Sequence, residues 1–593
     1  MPRSRLTPMP PQHHIIGRTI VDLDTGPLAD VWSLQEDVNQ LVQQEMLPQL
    51  EILFDRLSEP DRTLRLDRVV LDVGHVAPKS LPQDWVPRLL AQLEQVLRDR
   101  IGGYSDGGVD ESPPILRERT EAHWEVLQFF LQYGRLPWWQ TSGSWSATVA
   151  RWQQAVAEPV SRWVEQVRQV LGTSPIARQR FAVQLPEPLQ ESLLLQLQPA
   201  WSDWPLLRSQ IQQLLQALDW GDRSRRDLER QAVQLLLAEI VPNRPVSSLL
   251  PAVSWARAWM EQVVREGRSQ WFPSASAETE PIEPLTSPDR RLHQQLLAAI
   301  ADFSPVQRSL WLEAIAHSLP AIASTPTEPS ETEARSAPEP RTDADSPLSP
   351  AAQPASSPEP VSGDGATPDA VQGVSPESDP VAETAGSPPR ERSADSEPLP
   401  SQLTTGDRAS ASPLNAAPSA LSPEEERAGI YIPQAGLVLL HPFLKIYFEA
   451  IDLLADSQFR DESARQTAVY LMHWLATGDP AGAEVDLVLP KLLCNWPLND
   501  PIAPIALPAA ALEEGEHLLQ VAIDRWGALK SASPDGLRQG FLQRQGKLTR
   551  TSSHDWQLHV EQTSLDILLA RLPWGLSMVK LPWMDCLLTV EWS

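Results

Sequence analysis

The sequence predicts a mainly α protein with two small α+β units, one at each end, separated by a helical middle and a long disordered linker. Three observations carry this. Apolar residues recur at spacings of three and four through most of 115–323, the period of helices that bury one face. Runs that alternate apolar and polar, the period of strands, occur only near the ends, around 63–73 and beyond 546. From 324 to 428 the chain is mostly Pro, Ser, Ala, Glu and Asp, with no aromatic between Trp311 and Tyr431. Such a segment cannot bury enough apolar surface to offset the entropy of ordering it.

The boundaries follow from these shifts in composition. Residues 1–12 are Pro-rich and read as a flexible N-terminus. Residues 13–101 read as a β-α-β-α unit. The first strand runs from His13 through Ile15, Ile16, Ile20, Val21 and Leu23. A helix over 28–57 follows, with Pro48 marking a break or kink. A second strand over 63–73 places Leu64, Leu66, Val69, Leu71 and Val73 on one side, with an irregularity at Val69-Val70. A helix over 83–101 closes the unit, and 102–114, which includes Gly102-Gly103 and Pro113-Pro114, reads as a linker.

The all-helical region, 115–323, begins with a helix over 123–133 that stops at Gly134-Arg135-Leu136-Pro137-Trp138-Trp139. Further helices are expected near 145–171, 175–184, 187–198, 205–218, 223–240, 248–266, 289–302 and 305–318. Ser174-Pro175 and Ser304-Pro305 open two of them alike, with Pro in the first turn, which suggests a degenerate helical repeat. The Trp residues of this region read as core.

The C-terminal α+β domain, 429–593, shows helices over 437–451, 461–476, 512–529 and 535–545. A hairpin is expected from 547–551 to 556–561, then a short helix at 564–569. Helices packed on a small antiparallel sheet are the expected architecture. The last stretch contains Leu-Pro-Trp twice, at Leu572-Pro573-Trp574 and Leu581-Pro582-Trp583. Each Pro fixes φ and removes a donor. Each Trp offers a large apolar face with one N–H that needs a partner. Trp574, Met578, Lys580, Trp583 and Trp592 are therefore candidate partner-interface residues, since aromatic anchors dominate protein contacts. The alternative is that these Trp fill the domain's own core. Lys580 stands in the apolar run Met578-Val579-Lys580-Leu581, either with its stem buried and its ammonium at the surface or facing a partner carboxylate.

Composition excludes several classes. The net charge is −28, and residues 324–428 hold 19 acidic and 6 basic side chains. Such a chain repels phosphates and lacks the basic stripe that nucleic acid or anionic lipid needs. No apolar run reaches 18 residues, so no membrane insertion is expected. The N-terminal MPRSRLTPMPPQHH has no apolar signal core, which places the protein in the cytoplasm where it is made. The two Cys, Cys494 and Cys586, read as a reduced buried pair rather than a disulfide.

Catalytic chemistry finds no support. Gly540-Phe541-Leu542-Gln543-Arg544-Gln545-Gly546-Lys547-Leu548 imitates a phosphate loop. Five residues separate its glycines, however, and Leu548 stands where Ser or Thr would hold Mg²⁺. The eleven His lack metal-ligand spacing, and no Gly-x-Ser-x-Gly occurs. No cofactor, metal or catalytic residue is expected.

Five ordered segments point to a family. They are LRLDRVVLDVG at 64–74, AGLVLLHPFL at 435–444, KLLCNWPL at 491–498, FLQRQGKL at 541–548 and LPWGLSMVKLPWMDCLLTVEW at 572–592. Together they resemble the contractile injection system tape measure protein family, as does the segment at 134–139. The resemblance is dense over 430–593, clear over 13–100, weak in the helical middle and absent in the linker. It implies a non-enzymatic assembly protein of a phage-tail-like particle, probing the length of the inner tube and meeting inner-tube, baseplate or hub, and cap proteins. The alternative is a docking factor that binds such components through its two end domains without measuring. Contour length permits the first role: roughly 890 Å as one helix and roughly 2,000 Å fully extended. The 58 Pro and the short helices argue against one continuous rod.

Overall fold

The structure, a computed structural model, describes residues 14–17, 19–25, 31–59, 62–76, 81–101, 115–140, 143–239, 252–271, 287–319, 421–529, 532–551 and 555–592. The expectations for 1–12, for 102–114 and for the linker up to residue 420 fall outside them. The described chain is mostly helical, and its five-stranded sheet lies in the C-terminal domain.

The N-terminal unit departs from the expected order. Helix α1 (Val31–Leu41) runs through a wide turn, Val42–Met46, directly into α2 (Leu47–Leu57). Pro48 sits in the first turn of α2, and the backbone absorbs its missing donor as a π-type turn instead of a break. Helix α3 (Leu81–Ile101) packs across them, burying Trp85, Val86, Leu93 and Leu97 with Val38, Leu41, Met46, Leu50 and Leu53.

No strand forms at 14–25 among the described residues. Ile20 is exposed there, and His14 is held by Asp55 at 2.8 Å and by the Phe54 ring. The expected strand over 63–73 shortens to β1 (Arg62–Arg65). It pairs antiparallel with β2 (Ile115–Glu118), a strand the periodicity did not indicate. Beyond Arg65 the chain meets no ladder partner among the described residues. It lies against the helices through Leu66, Val69, Leu71 and Val73 instead. Alternation therefore reported a half-buried face, not a paired strand.

Among the described residues the middle holds ten α-helices. They are α4 (Arg119–Tyr133), α5 (Trp145–Ala157), α6 (Ser161–Thr173), α7 (Pro175–Gln184), α8 (Glu187–Leu197), α9 (Trp204–Ala217), α10 (Asp222–Ala238), α11 (Ala252–Trp271), α12 (Ser287–Ala299) and α13 (Pro305–Ser318). The single helix expected over 145–171 is two, because Pro159 stands between α5 and α6 and cannot continue a ladder. Ser174 caps α7 by accepting from the Ala177 N–H, and Ser304 opens α13 with a capping box, so both Ser-Pro pairs start helices as read. Trp124, Trp152, Trp204, Trp255, Trp259 and Trp311 are fully buried. The indole N–H of Trp255 donates to Ala232 O and that of Trp311 to Gln210 Oε1. Several of these rings are thus buried with their one donor satisfied, whereas the Trp204 indole N–H is buried without a hydrogen-bond partner.

The C-terminal domain starts earlier than 429. Ser422 opens α14 (Pro423–Ala428) with a capping box closed by Glu425. The acidic composition of 424–426 resembles the linker, but these residues form a first helical turn, where carboxylates are favoured. Then come β3 (Ile430–Ile432), α15 (His441–Ala450), β4 (Leu454–Ala455), β5 (Gln458–Phe459) and α16 (Glu462–Thr477). They are followed by α17 (Val488–Leu493), α18 (Ala509–Arg525), α19 (Pro534–Leu537), β6 (Gly546–Arg550), β7 (Trp556–Val560), β8 (Met578–Val579) and β9 (Leu588–Glu591).

The sheet order is β3-β6-β7-β9-β8. The β6–β7 hairpin forms as expected. The sheet is not wholly antiparallel: β7 and β9 run parallel, Leu558 opposite Val590, because residues 561–587 cross over between them. The segment resembling a phosphate loop is a π-type turn at Arg538–Leu542 that leads into β6. Gly546 is small because a Cβ there would lie 2.9 Å from His559 O and run into Ala435. Cys494 and Cys586 are free and buried.

Candidate partner surface and a buried charge network

The five residues singled out at the C-terminus divide. Trp583 is buried against Phe448 and Phe459 and donates to Leu493 O at 2.8 Å. Trp592 is buried and donates to Asp566 Oδ2 at 3.2 Å. Trp574 is half-buried, edge-on to Phe443 and Trp526, and donates to Leu439 O at 3.1 Å. All three indoles therefore hold the domain's own helices to its sheet. Met578, 65% exposed, and Lys580, also exposed, stand on the outer face at edge strand β8. Of the two readings of Lys580, the ammonium at the surface matches its exposure.

In the 3-10 segment Ser564–Arg571 no side chain is buried although five are apolar. Leu565 and Ile567 are exposed there, Ile567 by 78%. With Met578 they are the exposed large apolar side chains of the last thirty residues.

A second feature was not found by pattern. Where the helical region meets the C-terminal domain, five charged side chains are buried: Arg135, Arg180, Glu425, Glu484 and Lys491. Gly134 ends α4 in the left-handed region, φ 74°, and turns Arg135 toward the C-terminal domain. The Arg135 guanidinium donates both forks to Glu425, one of them at 2.8 Å, and also reaches Asn499 Oδ1 at 2.8 Å and Tyr133 O at 3.0 Å. Arg180, on α7, donates to Glu484 at 3.1 and 3.3 Å, to Leu131 O at 2.6 Å and to Asn499 O. Lys491, on α17, donates to Glu484 at 2.7 Å and to Asp500 O at 2.8 Å. Gln184 adds a bond to Ile502 O at 2.6 Å.

Burial pulls the Lys491 ammonium below its ordinary range, and the Glu484 carboxylate opposes that pull. The three cations face two carboxylates, with bidentate geometry at both arginines. Signals for this network were present. Glu425 stands three residues after Ser422, the capping-box spacing, and Lys491 interrupts an otherwise apolar helix. The first does not reveal its partner Arg135, 290 positions away; the second does not show which of its neighbours folds back to it, Glu484 in the event.

Beside the network, a cleft of about 480 Å³ is lined from the helical region by Gln132, Tyr133, Ser174 and Ile176, and from the C-terminal domain by Leu421, Pro423, Glu426 and Asn499. Other polar links join the N-terminal unit to the C-terminal domain. The Tyr431 hydroxyl donates to Gly17 O at 2.7 Å, Arg65 approaches Glu424 at 3.6 Å, and Arg427 approaches Asp67 at 3.6 Å. No group of three or more His, Cys, Asp or Glu is placed to hold a metal ion among the described residues. No described helix is long and apolar enough to cross a membrane.

The family model for contractile injection system tape measure proteins matches residues 13–592. The chain belongs to the contractile injection system tape measure protein family. No curated protein and no solved structure matches it. Membership makes this tape measure family protein a component that works with other parts of an injection system. The family is a structural one, and the motifs that carry it find physical roles here. Gly134-Arg135 builds the charge network, Lys491 and Cys494 lie in the buried helix α17 and the turn that ends it, and the terminal Trp residues close the C-terminal core.

Proposed function

We propose that this protein sets the length of the inner tube of a phage-tail-like contractile particle and does no chemistry itself. The family match over 13–592 carries this reading. It is supported by the way length is distributed along the chain. The described helices are short, the longest being the 21 residues of α3, which span only about 32 Å at 1.5 Å per residue. Residues 320–420 add a contour of up to about 360 Å at ~3.3–3.6 Å per residue. Tube subunits would add until that span is covered, with the two folded parts engaging components at its two ends.

The components met are inner-tube, baseplate or hub, and cap proteins, and the working place is the cytoplasm and then the tube lumen. A strongly acidic chain fits a protein-lined tube better than a nucleic acid or membrane partner. The test is a series of deletions and duplications within 340–418, with tube length read by negative-stain electron microscopy. Length should follow the number of residues. The reading fails if length stays constant across the series.

A second reading rests on the exposed apolar side chains Leu565, Ile567 and Met578. There the C-terminal domain is an adaptor that docks a tube, baseplate or cap subunit beside β8 without measuring. In that case Ile567→Asp or Met578→Asp would abolish assembly while changes to 340–418 would leave length unaltered.

A further inference from the structure

The charge network has a property that the fold alone does not require. The apolar cores of the helical region and of the C-terminal domain are separate. The first draws its buried members from 124–319 and the second from 421–592. The main helix-to-helix and strand-to-strand packings also lie within one half or the other. Among the described residues, hydrogen bonds and ion pairs cross the junction: Arg135 with Glu425, Arg180 with Glu484, Gln184 with Ile502 O, Tyr431 with Gly17 O and Arg223 with Ser463 Oγ. Val485 of the C-terminal domain packs, partly buried, on the helical core, and Ile176 faces Leu421 and Pro423 across the cleft.

We propose that this junction is a releasable ionic clasp, which keeps the free protein closed and opens to let two intact folded halves move apart. The argument rests on what separation exposes. Parting two halves of one apolar core would present a large hydrophobic surface to water, at about 25 cal/mol for each Å². Parting this junction presents arginine, lysine and glutamate, whose hydration repays much of the lost pairing. A buried ion-pair junction is thus specific when closed and soluble when open.

Removing one partner has a different effect from parting the pair. In the closed form it strands a charge out of water, while in the open form that charge is solvated. Substitution at the clasp therefore shifts the population toward the open form. The proposal deepens the length-setting reading, on which it rests for its purpose: a chain that must span a tube has to pass from a closed to an extended form.

The test uses the full chain, free in solution. Spin labels are placed at Gln132→Cys and Glu426→Cys, exposed positions on opposite walls of the same cleft. The natural Cys494 and Cys586 are buried. Electron–electron distance measurement should give one short distance in the parent chain. Arg135→Gln and Arg135→Gln/Arg180→Gln should convert a rising share of molecules to a long distance, with helical circular dichroism unchanged. Arg135→Gln removes the bonds to Glu425 and leaves the Arg180–Glu484 pair in place, so the single variant decides the matter if the double variant misfolds. The proposal is overturned if the single variant keeps the short distance alone, or if a long distance appears only together with loss of helicity. Tube length plays no part in this readout. A wrong clasp leaves the length-setting reading standing, and a tube of unchanged length leaves the clasp standing.

Discussion

Substituting Gly134 by Ala should weaken the junction far more than it weakens either half. Gly134 has φ 74°, where an L side chain costs about 1–2 kcal/mol. That cost falls on the helical half whether or not the halves touch. The second cost belongs to the junction alone. A Cβ at Gly134 would run into Glu484 Oε1 and lie 2.9 Å from both Nε and Nη2 of Arg180. The bidentate pair has to shift, and breaking a buried pair outright costs about 3–5 kcal/mol. A loss near 3 kcal/mol is about a 100-fold weaker association.

Gly478 provides the control. It ends α16 with φ 77°, yet its Cβ would meet nothing closer than Arg538, at 3.8 Å, an ordinary contact. The assay cuts the folded chain at a protease site introduced between 340 and 418 and measures the dissociation constant of the two pieces. Gly134→Ala should raise it about 100-fold. Gly478→Ala should leave it unchanged while lowering the unfolding free energy of the C-terminal piece by about 1 kcal/mol. Equal dissociation constants for the two variants would refute the reasoning, because only the clash with the ion pair distinguishes them.

Further outcomes are expected. Gly515 lies inside α18, where Gly→Ala ordinarily gains about 1 kcal/mol; here a Cβ would run into the Trp474 ring and lie 3.0 Å from the Tyr447 hydroxyl, so urea unfolding should show a net loss for Gly515→Ala. Burial pushes the His473 imidazole down to about 4. The neutral ring therefore contributes stability that is complete above pH 6.5 and lost as pH falls through 4, roughly 3 kcal/mol in all. Burial and the charge of Asp479 push Asp486 up to about 6, which acts in the opposite sense and costs stability at neutral pH. Asp486→Asn should raise stability at pH 7 and steepen the acid loss, both read by urea unfolding at a series of pH values. Bridging Gln132→Cys to Glu426→Cys with a short reducible crosslinker before assembly should suppress full-length tubes, and reduction should restore them; normal tubes from the bridged chain would show that the junction need not open.

The legible parts of the fold were those where local pattern and burial coincide. The helices of the middle follow the three-and-four spacing, and the β6–β7 hairpin follows alternation around a short polar turn. Misreadings came where the deciding partner was distant. Leu64 alternates with its neighbours as a strand should, but the ladder it finds, opposite Leu116, is short and lies across more than 50 positions. Pro48 suggested a break or kink; the helix does not break, and a π-type turn at Val42–Met46 precedes the proline. Glu424 and Glu425 carry linker-like composition yet belong to a capped helix, because a capping box outweighs composition over six residues.

The candidate surface was legible by halves. The terminal Trp residues could be read as core or as interface, and their donors to Leu439 O, Leu493 O and Asp566 tie them to their own domain. The charge network left only faint traces. A lone Arg after a helix stop and a lone Lys within an apolar helix are common enough to pass unnoticed. The Arg partners are fixed by how the helical region meets the C-terminal domain, and no local spacing encodes that; the Lys partner Glu484 is near in sequence but joins it through the fold of the intervening turn.

The measurement closest to the central claim is tube length after deletion of 340–418, with both folded halves kept. Negative-stain electron microscopy should show uniformly shorter tubes, by about 260 Å for 79 extended residues at ~3.3 Å each. Tubes of unchanged length at normal yield would contradict the account.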